Sequence, residues 1–281
     1  MRVLITGKGT SGSWQIRGVQ IAEAIGAQAI PMASLEECRA ADVIIGVKRI
    51  PDDLLHRIRE SGRPFLWDVV DSYPQPKCST WNNVESIAWI KETAARLRPD
   101  HIIWPNRRMQ EDAMLGGTTI YHHHRPGIKV NPVRDRIEVV GYEGSPSYLE
   151  GLLPMIQAEC AKRHARFVIN PENLADVDVV LAMRSPRFNG YMQRHHKSNV
   201  KLANAHGSGT PFIGAMEDGY IETCCGAEYW AEDQKQLGMA LDWMEPQHVR
   251  QEISSRFLSH AITIESVAKQ YKETLWRLLN S

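Results

Sequence analysis

Lys197-Ser198-Asn199-Val200-Lys201-Leu202-Ala203-Asn204-Ala205-His206-Gly207-Ser208-Gly209-Thr210-Pro211-Phe212-Ile213 reads as a helix that ends in a glycine and then passes into a strand. Glycine closes helices because it accepts left-handed backbone, and proline two residues on cannot continue one. A loop, Glu217-Asp218-Gly219-Tyr220-Ile221-Glu222, follows. The same alternation extends upstream. Residues 137–141 (IEVVG) form a strand that enters 142–147, rich in Gly, Ser and Pro. Residues 148–162 read as a helix, and 167–169, 177–182 and 211–214 as strands. At the end of the chain, Ile264, Val267, Ala268, Tyr271, Leu275 and Leu278 recur at spacings of three and four, which makes 262–279 an amphipathic helix.

The first half has the same rhythm. Residues 2–6 (RVLIT), 27–30, 42–47 (DVIIGV), 64–70 (PFLWDVV), 101–104 and 118–121 read as strands. Helical patterns occupy 15–25, 51–60, which has proline at its start, and 81–97. Strand–helix–strand alternation means βαβ units and parallel sheets. Between 121 and 136 the composition turns polar, with two prolines and a glycine, and then the pattern restarts. The expected fold class is α/β: two Rossmann-like domains facing across a cleft, residues 1–125 and 126–281, the terminal helix counted with the second.

Composition narrows the function classes. Of 281 residues 43% are hydrophobic, enough for a sizeable core, and 33 basic residues balance 33 acidic ones. Zero net charge argues against an unusually basic nucleic-acid binder. No apolar run approaches ~18 residues, so no membrane span is expected. Met1 runs straight into a strand without a signal-peptide pattern. Five cysteines, Cys38, Cys78, Cys160, Cys224 and Cys225, have no C-x-x-C spacing and read as reduced thiols of a cytoplasmic protein. Vicinal Cys224-Cys225 reads as packing.

The deciding stretch resembles the donor domain of GT-B glycosyltransferases, whose pattern is roughly K-P-S-N-K-L-L-E-A-L-A-x-G-T-P-V-I followed by a loop with G-Y-x-E. Gly219-Tyr220-Ile221-Glu222 resembles that loop. Val139-Val140-Gly141-Tyr142-Glu143-Gly144-Ser145 resembles the opening of the same domain, and Val267-Ala268-Lys269-Gln270-Tyr271 its closing helix. The resemblance runs from near Ile137 to the end. It implies a metal-independent enzyme, with no cofactor beyond a nucleotide-sugar co-substrate, a UDP-sugar first. In such an enzyme cations and helix N-termini stabilise the charge that develops on the diphosphate leaving group. Carried onto this sequence, the basic pair is Lys197 and Lys201, with Arg184 and Arg187 from the preceding loop. Gly144, Gly209 and Thr210 bring backbone close to the nucleotide, and Glu222 accepts hydrogen bonds from the ribose. Asn204 stands where many relatives carry Glu, a departure that bears on donor preference and motivates a second reading, a binding module without turnover. The partners implied are the donor and an acceptor hydroxyl; a polymer such as modified phage DNA is one acceptor of that kind.

Gly7-Lys8-Gly9-Thr10-Ser11-Gly12 satisfies G-x-G-x-x-G between a strand and a helix. A dinucleotide site also needs an acid near the end of the second strand, and Ala29-Ile30-Pro31-Met32 has none. An NAD(P)-dependent oxidoreductase is therefore the rival enzyme. The other readings are a tight turn, or a loop lining the cleft where Gly9, Gly12 and Ser13 face an acceptor or a sugar phosphate. Asp68 and Asp71 follow the fourth strand, where parallel sheets place ligands, and are the candidate general bases. His122-His123-His124 alternate faces and cannot share one ion easily, so no metal is assigned, and His124 is taken with Asp68 and Asp71 into the catalytic set, one histidine of the run touching phosphate or sugar in the cleft. His195-His196 adds to the anion site.

Overall fold

The structure, a computed structural model, describes residues 1–72, 74 and 77–280. Six strands form the first sheet: β1 (Val3–Gly7), β2 (Gln28–Ala29), β3 (Val43–Val47), β4 (Phe65–Asp68), β5 (His101–Trp104) and β6 (Thr118–Thr119). All are parallel, in the order β2-β1-β3-β4-β5-β6. The second sheet holds β7 (Val139–Tyr142), β8 (Arg166–Ile169), β9 (Val179–Ala182), β10 (Phe212–Gly214) and β11 (Tyr229–Trp230), parallel in the order β11-β10-β9-β7-β8. The doubly wound α/β pair expected from the sequence is the architecture found.

Continuous apolar strands are needed because helices cover both faces of a parallel sheet. In the first sheet Leu4, Ile44 and Trp67 point to one face and Val3, Ile5, Val43 and Ile45 to the other, the period of two of a strand. In the second, Val139, Val180, Leu181 and Phe212 meet Leu237, Leu241, Ile253 and Phe257 of the helices Gln234–Met244 and Gln247–Ser259. The expected helix over 148–162 is instead a short turn, Pro146–Leu149, and a helix, Leu153–Lys162 with proline in its first turn.

The terminal helix corrects the expected grouping. Ile264–Leu279 buries Val267, Tyr271 and Leu275 in the core built by Val3, Ile5, Val43 and Ile45, so it packs on the first sheet. Its apolar stripe meets Trp14 and Ile21 there, in the helical run over 12–25 that follows β1. That run widens into π-type turns at Gln15–Gln20, where Gly18 leaves room for the Trp14 ring; a Cβ at Gly18 would lie 2.7 Å from it. Arg17 is wholly buried in those turns and donates to the Tyr271 hydroxyl at 2.8 Å.

Register places the functional edges. Gly7 pairs with Val47 and Val47 with Asp68, so β1, β3 and β4 end level. Past the ends of β2, β3 and β4 three non-glycine residues take left-handed backbone: Met32 (φ 51°), whose amide donates to Gly7 O, Lys48 (φ 57°) and Val70 (φ 67°). Such backbone is costly for a β-branched residue and clusters at ligand sites. In the second sheet Tyr142 pairs with Leu181 and Gly214 with Ala182, so Glu143, Met183 and Ala215 leave from one edge.

Candidate functional site

The two C-terminal edges meet through the segment that leads into the deciding helix. His196 O accepts from Ser72 N at 3.0 Å. Asn106 Nδ2 donates to His195 O at 2.9 Å and to Lys197 O at 2.8 Å. Asn199 Oδ1 accepts from His122 N at 2.8 Å. These bonds carry Lys197, which is buried, to Asp71: its Nζ lies 3.6 Å from Asp71 Oδ2 and donates to Ser72 O at 2.9 Å. Lys48 pairs with the other Asp71 oxygen and donates to Ser13 Oγ at 3.1 Å. Burial pushes the Asp71 carboxyl up, but the ammoniums of Lys197 and Lys48 outweigh it and hold it well below the usual range. So low a pKa makes a poor proton acceptor, and the geometry fits a carboxylate that positions two lysines.

Arg184, just past β9, forms a forked pair with Glu217 past β10, Nη2 to Oε2 at 3.2 Å. Both line a cavity of about 180 Å³ with Met183, Gln193, Ala215 and Glu232. Burial alone would lower the Arg184 pKa, and Glu217 beside it raises it instead, so the guanidinium stays charged. Lys201 stands next to this pair with its Nζ 4.1 Å from the Tyr142 ring centroid. Burial, then the charge of Arg184, lowers its pKa to about 7. No ion pair holds Lys201 among the described residues. The Tyr142 hydroxyl is buried, has no hydrogen-bond partner among the described residues, and has its pKa pushed up to about 12, chiefly by burial. Gly144 closes the group: at φ 135° a Cβ there would lie 3.2 Å from the Tyr142 hydroxyl and 3.4 Å from Lys201 Nζ. An ammonium and a phenol donor thus converge on backbone left bare by glycine, an arrangement suited to an anion.

Other sequence expectations need correction. Asp68 does not face the cleft: it is fully buried, 4.0 Å from Arg17 Nε, and bonded by the Tyr271 hydroxyl and by Val70 N. Burial raises its pKa, and its role is to fix the strained Val70 turn. His124 packs its ring against Gly207, where a Cβ would meet it at 2.3 Å, and its Nδ1 lies 3.1 Å from Arg125 O. Gly209 and Thr210 sit at the wrong end of β10. Thr210 Oγ1 donates to Leu174 O at 3.0 Å, while Gly209 (φ 67°) closes the helix Val200–Ser208. The strand runs on to Gly214 before it reaches the site edge.

Glu222 is also engaged elsewhere. It accepts from Arg107 N at 2.7 Å, Arg108 N at 2.8 Å and the Tyr121 hydroxyl at 2.9 Å, which caps the helix Arg107–Ala113 of the first half. Arg187 is exposed and pairs with Glu150 at 2.8 Å. Asn204 joins the linker to the site loop: Arg125 N donates to its Oδ1 at 2.9 Å, and its Nδ2 donates to Glu143 at 3.2 Å. His195 and His196 are taken by Asp218 at 2.7 Å and Asp112 at 2.8 Å, so they brace the junction rather than add to the anion site. Gly9 (φ 88°) packs on Pro31, where a Cβ would meet the ring at 2.3 Å, while Gly12 borders open space. Lys48, Glu217 and Tyr142 were not singled out from the sequence, because only the strand register brings them to the edges.

A second cluster forms outside the cleft. Ligand atoms of His206, Cys225 and Glu228 lie within 4.8 Å of one another. Glu228 accepts from His206 Nε2 at 2.8 Å and from the amides of Cys225 (3.0 Å), Gly226 (2.9 Å) and Ala227 (3.1 Å). Burial pushes the Cys225 thiol up to about 11. With its oxygens saturated and the thiol neutral, this group fits a loop clip better than a metal site. Cys38, Cys160, Cys224 and Cys225 are free; the Cys78 side chain lies outside the described residues.

No protein-family model matches the sequence, and no curated protein matches it. Solved structures do. Anabaena HepE in complex with UDP and glucose superposes at a TM-score of 0.66 and 12% identity, over 99% of this chain and 100% of that one. Sucrose-phosphate synthase from Thermosynechococcus elongatus superposes at 0.65 and 11% identity, over 100% and 99%. AviGT4, a glycosyltransferase involved in avilamycin A biosynthesis, superposes at 0.58 and 14% identity, over 100% and 98%. Two facing parallel sheets, matched from end to end, give this chain the fold of the GT-B glycosyltransferases.

Proposed function

We propose that the protein is a nucleotide-sugar-dependent glycosyltransferase. The observation that carries this reading is the ammonium of Lys201, which has no ion-pair partner among the described residues, stands over the Tyr142 ring, whose hydroxyl is likewise unpartnered among them, and feels the charges of Arg184 and Glu217, which line a cavity. In this reading the nucleoside occupies that cavity and the diphosphate takes the Lys201 ammonium and the Tyr142 hydroxyl. Anabaena HepE, which shares the fold, is solved with UDP-glucose, and a UDP-sugar is the donor proposed here.

The acceptor oxygen bonds to the anomeric carbon as the bond from that carbon to the diphosphate breaks. The diphosphate leaves with the electron pair, and the hydroxyl proton passes to solvent or to the departing phosphate. Cations held in place before the reaction stabilise that leaving charge without reorganising. Lys201 and Arg184 supply them, with Lys197 held by Asp71 at the seam. This arrangement calls for no metal. An oxidoreductase is disfavoured, because Gly9 packs on Pro31 and the short β2 has no acid after it.

Thermal-shift measurements with UDP, GDP, ADP, their sugars and NAD(H), with and without a divalent cation, test the proposal. A ligand at ~100 times its Kd stabilises by about 2.7 kcal/mol. The expected result is a metal-independent shift with one nucleoside diphosphate and its sugar. A shift with NAD(H) alone overturns the reading. Binding without any sugar release, over a panel of donors and acceptors, favours the binding module.

A further inference from the structure

A second cavity, of about 170 Å³, opens at the C-terminal edge of the first sheet between the loops that leave β1 and β3. Lys8, Lys48 and Arg49 line it together with the hydroxyl residues Thr10 and Ser11, and Trp14 walls it; among the described residues no acidic one lines it. Trp14 is 4% exposed and packed in the core, so that wall is rigid. Lys48 is held by its left-handed backbone, by Ser13 Oγ and by Asp71. The carboxylate paired with Lys48, Asp71, is shared with Lys197, so the local charge stays positive.

Three cationic side chains around a small concave site, with Lys48 held in place, suit a compact anion of high charge. A phosphate monoester meets that description: it carries close to two negative charges and three acceptor oxygens. Because Lys48 is fixed in advance, less freedom is lost when the anion binds. The cavity is too small and too enclosed by Trp14 for a duplex backbone, which would instead need a row of cations along an open face.

We propose that this cavity takes the phosphate group of a small phosphorylated acceptor, a sugar phosphate, and so presents the acceptor's hydroxyl to the donor side. The assignment rests on the glycosyltransferase reading and adds to it the chemical class of the acceptor. Asp71 then sits between the two substrates, its two oxygens tied to Lys48 on the acceptor side and Lys197 at the seam.

Calorimetric titration of the full chain with glucose 6-phosphate, inorganic phosphate and glucose tests this, with UDP titrated in parallel. Glucose 6-phosphate and phosphate should bind and glucose should not. The double substitution Lys8→Ala/Arg49→Ala should weaken both phosphate ligands at least tenfold and leave UDP affinity unchanged, with an unaltered melting temperature showing that the fold is intact. Lys201→Ala should do the reverse. Phosphate ligands that bind no better than glucose, or a double variant of unchanged affinity, overturn the acceptor assignment. If UDP still binds in that case, the donor reading stands alone. If phosphate binds and no nucleotide does, the donor reading fails and the anion site survives. A duplex oligonucleotide that displaces phosphate with a steep salt dependence overturns the small-acceptor class in favour of a polymer.

Discussion

The Lys197 ammonium lies 3.6 Å from the Asp71 carboxylate, and the two residues come from opposite halves of the chain. Lys197 precedes the helix Val200–Ser208 of the second half, while Asp71 follows the strained Val70 at the end of β4. One carboxylate thus holds a lysine from each side of the cleft and sets the spacing of the two site edges.

Replacing Asp71 with Asn leaves two ammoniums facing each other with their charges uncompensated. Removing one partner of a largely buried ion pair costs about 3 kcal/mol. Thermal or urea denaturation should show a loss of that size. The carboxyl is held below its unfolded value, so its stabilisation is complete above about pH 4 and fades as pH falls further toward the folded value. In the variant that part of the acid limb should flatten.

Lys201 governs a pH dependence near neutrality. Its pKa of about 7 in the free site means the ammonium is charged below that pH and neutral above it. A nucleotide-sugar diphosphate does not titrate there, so UDP-glucose affinity should decline as pH rises through about 7. Lys201→Ala should remove this dependence and cost about 2 kcal/mol of binding at pH 6, roughly thirtyfold in Kd. Calorimetry at several pH values reads both effects.

Glu222 tests whether the sequence resemblance or the tertiary contacts assign its role. Its carboxylate caps the helix Arg107–Ala113, so Glu222→Gln should lower stability by about 1–2 kcal/mol. The ratio of UDP to 2′-deoxy-UDP affinity should not change. A selective loss of discrimination against the deoxynucleotide would return Glu222 to the ribose.

Tyr271 ties the terminal helix to the end of β4, three residues before Asp71. Its hydroxyl accepts from Arg17 and donates to Asp68, all three side chains being buried. Tyr271→Phe leaves both charged partners short of a bond and should destabilise by about 2 kcal/mol. Leu275→Ala, which only empties core volume in the same helix, should cost about 3 kcal/mol. If the Asp68–Val70 turn positions Asp71, the Tyr271→Phe variant alone should also weaken UDP binding, measured at a temperature where both variants remain folded.

What can be read from the order of residues alone is local and periodic. Alternating strand and helix patterns, the restart at Ile137 and the glycine-closed helix before Phe212 depend on neighbours a few residues apart, so the two parallel sheets and the helix that carries Lys201 were legible. Tertiary structure alone decided which polar groups face the cleft. Glu222 and Asp68 satisfy a motif and a strand-end rule, yet long-range partners, Arg107 N in one case and Tyr271 in the other, consume their oxygens. Thr210 lies at the start of its strand and Glu217 beyond its end, and in a parallel sheet only the second position reaches the ligand edge. The terminal helix is amphipathic in the sequence, but which sheet it covers depends on which apolar face, here that of Val3 and Ile5, takes up its stripe. Pattern reports that a residue needs burial or a partner, and only the folded chain supplies which one.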